Sequence, residues 1–195
     1  MGDAASVQTP EGKKVEMVFM NASMERNNSL PPAWGTSIES RIIGTDGTYI
    51  NVYRLAKGDY FIEHKHVPHG VDFSGDICDS DIHYMITSST TGTIKLKLSL
   101  YHMYEGRSCS GLSPDFVGYR DVEVVAGVDI DLFKAAFVAN AIDLTSWQAN
   151  RTIHDEVVIR FERLDIGDGD TYAGDIDILH GEIFSYETGI QWHGN

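Results

Sequence analysis

The stretch FIEHKHVPHG sets three histidines close together, at positions 64, 66 and 69. Residues two apart on a strand point to the same face, so His64 and His66 meet the geometric requirement for chelating a divalent metal. A second cluster, DIGDGDTYAGDID, supplies Asp165, Asp168, Asp170, Asp175 and Asp177, hard oxygen donors of the kind calcium takes. A plainer reading stands beside each. Imidazoles on a strand rim serve as ordinary hydrogen-bonding groups. Asp and Gly are what tight strand connections use, and the acidic run lacks the EF-hand order with its closing bidentate glutamate. His64, His66, Asp168 and Asp170 are therefore the weak metal candidates, and neither a catalytic residue nor a cofactor is assigned.

Other chemistry is poorer still. The chain has no G-x-S-x-G elbow, no Walker loop and no G-x-G-x-x-G after a strand. Cys109, in SCSG, has no base that the sequence places beside it. With 29 acidic residues some carboxylate pair is always available, so availability says nothing about sugar hydrolysis. The cysteines, Cys78 and Cys109, show no metal spacing and read as reduced thiols of a cytoplasmically made protein. Trp34, Trp147 and Trp192, with nine tyrosines, offer surfaces for stacking on sugar rings. Packing at the ends of a sandwich or at subunit interfaces accounts for them more simply.

The elements that must carry these residues are strands. Helical periodicity is nearly absent and period-two alternation recurs. In TIKLKLSLY, Ile94, Leu96, Leu98 and Leu100 share one face, and Lys95, Lys97, Ser99 and Tyr101 the other. EVVIRFER repeats this, with Val157, Ile159 and Phe161 inward and Arg160 and Glu162 outward. YINVYRL (49–55), DIHYMIT (81–87), DVEVV (121–125) and DIDILHGEIFSY (175–186) read the same way, the last with a bulge expected at Gly181. In DLFKAAFVANAIDL (131–144), Leu132, Ala136 and Phe137 could share one face of a short helix, but Phe137 to Leu144 also fits a strand, and strand is preferred. GTDGT, SSTTGT and EGRSCSGLSPD punctuate the strands as turns.

About eight such strands predict an all-β fold: a single antiparallel β-sandwich, of jelly-roll type rather than a closed barrel. The domain runs over 34–195. Residues 1–33 are polar, poor in alternation and read as an extended N-terminal arm. A chain of 195 residues, 42% hydrophobic and 23% charged, is an ordinary globular domain with a sizeable core. It holds no apolar run of about 18 residues to span a membrane, and its first residues lack the apolar core of a secretory signal. A net charge of −14 repels phosphate backbones, which argues against nucleic-acid binding and for a basic or acid-tolerant partner.

Two resemblances enter. Gly58, five residues, then His64-x-His66 matches the opening of the cupin pattern, whose members hold iron or manganese. Gly70 and Val71 stand where the cupin glutamate belongs, and the later P-x-G-x2-H element is absent. The second resemblance covers residues 48–188. Pro68-His69, then SGDICDSDIHYMITSSTTGTIKLKLSLYHMY (74–104), then VVIRFERLDIGDGDTYAGDIDILHGEIFSYET (157–188), follow the motif order of a jelly-roll domain in structural proteins of tailed-bacteriophage virions. The segment 105–150 departs from that pattern. His69 and His83 fall at positions the resemblance marks, which suits interface hydrogen bonding.

The resemblance implies a non-enzymatic virion protein, made in the host cytoplasm, that assembles as a homo-oligomer, a trimer, and stabilises the capsid as a cement or decoration protein. Its partners would be itself and the major capsid protein or another virion protein. Trp34 at the arm, with Lys95, Lys97 and Tyr101 on the outward strand face, forms the expected interface. Adsorption to host glycans by a tail or fibre appendage is the alternative, and a cupin-like metalloenzyme is the third reading.

Overall fold

In the computed structural model the described residues are 14–19, 37–42, 45–66, 79–125, 132–136, 147 and 155–186. They form ten strands: β1 (Lys14–Phe19), β2 (Ser37–Ile42), β3 (Tyr49–Leu55), β4 (Tyr60–His66), β5 (Asp79–Ile86), β6 (Gly92–Met103), β7 (Phe116–Val124), β8 (Leu132–Ala136), β9 (Glu156–Arg163) and β10 (Ile176–Tyr186). One sheet runs β2-β3-β10-β5-β8, with β1 also on β10, and the other runs β4-β9-β6-β7.

All pairings are antiparallel, and they nest. β3 pairs with β10, β4 with β9, β5 with β8, and β6 with β7. Successive strands from β3 onward pair as if one long hairpin had been folded over on itself, which is the jelly-roll arrangement the sequence predicted.

Alternation places the core between the sheets. Ile94, Leu96, Leu98 and Leu100 of β6 and Val157, Ile159 and Phe161 of β9 are each 0% exposed. They face Tyr53 and Leu55 of β3, Ile82, Tyr84 and Ile86 of β5, and Ile176 and Ile178 of β10 in one cluster. Each fully buried aliphatic or aromatic side chain contributes roughly 1.5–3 kcal/mol. That burial fixes the register, because a one-residue slip would turn every apolar side chain outward.

Arg163 continues the inward phase of β9 and is as buried as its apolar neighbours. Its guanidinium meets Asp170 twice, Nε to Oδ2 at 2.9 Å and Nη2 to Oδ1 at 3.0 Å, and donates to the carbonyls of Leu55, Tyr172 and Gly174. It thereby pins the β9–β10 crossover, including the 3-10 turn Ile166–Asp168, against the end of the core.

Three expectations are corrected or narrowed. The irregularity in β10 falls between Ile178 and His180, not at Gly181, which pairs in register with Ile82. On its other edge β10 pairs with β3 over 176–178 and with β1 over 181–186, so the ladder breaks where the partner changes. The supposed arm carries β1, a strand of the larger sheet; the rest of 1–33 lies outside the described residues. In the ambiguous 131–144 segment Leu132–Ala136, read as part of a possible helical face, is a strand, and 137–144, where the strand was expected, lies outside the described residues.

Candidate functional site

The outward phase of the four-stranded sheet gathers Tyr60, Ile62, His64 and His66 from β4, Glu156, Val158, Arg160 and Glu162 from β9, Lys95, Lys97, Tyr101 and Met103 from β6, and Val117 and Tyr119 from β7. Cross-strand register sets them side by side: His66 opposite Glu156, His64 opposite Val158, Ile62 opposite Arg160, Tyr101 opposite Val158, Lys97 opposite Glu162 and Tyr119.

One half of this face is ionic. Lys95 Nζ lies 2.6 Å from Asp121, Lys97 Nζ 3.5 Å from Glu162, and Arg160 Nη2 3.2 Å from Glu162. The Arg160 guanidinium also rests 4.2 Å from the centre of the Tyr60 ring. Surface pairs of this kind contribute little to stability, about 0–1 kcal/mol, so their effect is to neutralise the lysines locally.

The other half is apolar. Ile62, Tyr101, Met103 and Val158 floor a groove of about 380 Å³, edged by Arg160 and walled by Cys109, Gly111 and Leu112 of the β6–β7 loop. A second lobe of about 330 Å³ shares Ile62, Met103 and Val158 and ends on Glu63, His64 and Glu156. Ile62 is 41% exposed and Tyr119 59%, large apolar surfaces left to water.

The loop that makes the wall is held firmly. Arg107 and Asp115 form a bidentate pair, and Asp115 Oδ2 accepts the backbone N–H of His102 at 2.7 Å. Arg107 Nη1 returns to the His102 carbonyl. Burial opposes the Asp115 charge, yet the hydrogen bonds from Arg107 and His102 outweigh it and hold that carboxyl below the usual carboxylate range. The same contact with Asp115 raises the Arg107 pKa. On the core side, the buried His102 ring lies 3.0 Å from Asp155 through Nε2 and stacks on Trp147 at 4.8 Å. His102 is thus gripped from both sides, which fixes Tyr101 and Met103, its outward neighbours.

The sequence-derived sites sort clearly. Lys95, Lys97 and Tyr101 do lie on the outward face, but the lysines are ion-paired and only Tyr101 enters the groove; Trp34 lies outside the described residues. His64 and His66 share a face, with His66 Nδ1 3.4 Å from Glu156. Asp170 lies near the opposite end of β4, with both oxygens on Arg163 and one also accepting from Lys95 N–H, so its carboxylate is engaged in holding the crossover. Asp168 is exposed in the 3-10 turn. Among the described residues no group of three His, Cys, Asp or Glu side chains is placed to hold a metal ion. The sequence reading missed Ile62, Met103, Leu112 and Val158. The alternation that put His64 and Tyr101 outward also puts Ile62, Met103 and Val158 outward; only Leu112, in the loop, carried no such signal.

No protein-family model matches the chain, and no curated protein matches it. Among solved structures, TmCBM61 in complex with β-1,4-galactotriose is similar over 70% of this chain and 71% of that chain, at 12% identity and a TM-score of 0.31. At that TM-score the likeness bears on neither ligand nor site.

Proposed function

We propose that this chain is a non-catalytic binding module that docks on another protein through the outer face of its four-stranded sheet. The observation that carries the reading is the groove floored by Ile62, Met103 and Val158 and ringed by Arg160, His64 and Glu156. An aliphatic centre inside a polar rim is the anatomy of a docking surface, and methionine adapts its shape to a partner side chain. A stable interface takes about 800 Å² from each partner, more than this groove supplies, so the groove is an anchor and the ionic half of the face is its rim.

The setting comes from the motif order over 48–188: a virion structural protein that assembles as a trimer and stabilises the capsid as a cement or decoration protein. On that reading the anchor receives a segment of the major capsid protein or of another virion protein. Glycan adsorption is the second reading, favoured by the exposed Tyr119 ring beside Lys97 and by the Tyr60–Arg160 stack, which together offer flat rings next to hydrogen-bonding groups.

Peptide and glycan arrays probed with the wild-type chain and with Met103→Glu test this reading. Retention on peptides that the variant loses, with its fold intact by circular dichroism, supports it. Retention on glycans alone favours the second reading. Equal retention by both proteins, or none by the wild type, overturns the assignment of this face.

A further inference from the structure

We propose that the groove seats an apolar side chain of the partner that has a lysine or arginine beside it, the cationic head docking on Glu156. This inference rests on the binding-module reading and adds the chemistry of the partner.

The groove is asymmetric in its charge. At one end Arg160 is ion-paired to Glu162 through Nη2 and stacked on Tyr60, while its Nε is buried with no hydrogen bond among the described residues and suits a neutral acceptor such as a partner backbone carbonyl. At the other end stand Glu63, His64 and Glu156. Glu156 Oε1 lies 3.4 Å from His66, whereas Oε2 is out of solvent and, among the described residues, makes no hydrogen bond. A carboxylate oxygen removed from water and left unbonded is costly, and such groups in folded proteins are rare. The side chain as a whole is 38% exposed, so a small rotation brings that oxygen to the groove. An ammonium or guanidinium there would satisfy it with a charge-assisted hydrogen bond.

The middle of the groove dictates the second element. Ile62, Met103 and Val158 belong to both lobes and present no polar group, so the portion of the partner lying over them must be apolar. The chain's charge of −14 steers in the same direction: it attracts a basic segment and repels an acidic one.

The test is a set of amide NMR titrations of the full chain with three capped pentapeptides, SKLKS, SELES and SKSKS. The expected result is that SKLKS shifts the amides of Ile62, His64, Met103 and Val158 and binds at least about tenfold tighter than SELES, the scale of one charge-assisted hydrogen bond. SKSKS, lacking the apolar side chain, should bind more weakly than SKLKS. Raising the salt to about 0.5 M should erode the preference for lysine. Glu156→Gln should abolish most of that preference while keeping the dependence on leucine. Equal binding of SELES, or a silent Glu156→Gln, overturns the inference. A neutral oligosaccharide that shifts these amides where no peptide does overturns the partner chemistry and leaves the binding module standing. Silence of this face toward peptides and saccharides alike overturns both.

Discussion

Arg107 and Asp115 close on each other through two parallel hydrogen bonds, 2.9 and 2.8 Å, and together hold the backbone of His102. The pair joins the loop that walls the groove to the strand that floors it, so loop geometry and groove geometry are one property.

Asp115→Asn should therefore loosen residues 105–114 and destabilise the fold by roughly 1 kcal/mol, the scale of a partly exposed pair. Hydrogen exchange should show faster exchange in the loop and little change in β9. The pH dependence follows from the depressed Asp115 carboxyl. Its folded pKa lies below the unfolded value, so its contribution is present above about pH 4 and is lost as the pH falls through the folded value. Wild type and variant should differ in urea midpoint at neutral pH and converge in strong acid.

The Arg163–Asp170 pair should be far less forgiving. Asp170→Asn leaves a buried guanidinium without its counter-charge, a loss of about 3–5 kcal/mol. Replacing both partners with apolar residues often restores stability at such sites. Here Arg163 also satisfies the carbonyls of Leu55, Tyr172 and Gly174, so the double replacement should remain well below wild type in chemical denaturation.

Gly92 opens β6 at φ +156, and a Cβ there would lie 2.6 Å from Tyr172 Cα. Neither backbone can yield without disturbing the ladder, so Gly92→Ala should cost at least about 1–3 kcal/mol. Ala substituted at Gly47, where nothing lies within 4 Å, separates the two effects: φ strain alone should cost less. Paired thermal melts read the difference.

Tyr84 has its pKa pushed up by burial to about 12. Its folded value lies above its unfolded one, so the stability it lends is full below about pH 10 and is lost as the pH rises toward 12. Ultraviolet titration should show one phenol ionising late and together with unfolding, and Tyr84→Phe should shift that alkaline transition upward.

Much of the fold was legible because alternation is a direct imprint of a two-faced sheet. The bounds of β3 and β9 were read to the residue, and the inward sets of β6 and β9 were correct. β1 and β2 escaped because the alternation of Val15, Met17 and Phe19 in β1 is short and set in a polar stretch, and SIESRI of β2 carries little alternation. Arg163 escaped because an arginine in the inward phase looks like an error until Asp170 is brought beside it by the crossover. The site was half legible. Alternation places Tyr101, Lys95 and Lys97 on the outward face, but it does not show that Asp121 and Glu162 pair with the lysines, since those partners come from other strands. Leu112 reaches the groove through a loop whose path no periodicity encodes.

The most direct test of the account is hydrogen exchange of the full chain with and without a ligand retained on the arrays. Binding at the outer face of the four-stranded sheet predicts slowed exchange in 60–66, 99–103 and 156–160 and in the loop 105–114, with the larger sheet unchanged. Protection confined to the larger sheet, with the groove strands unaffected, would contradict it.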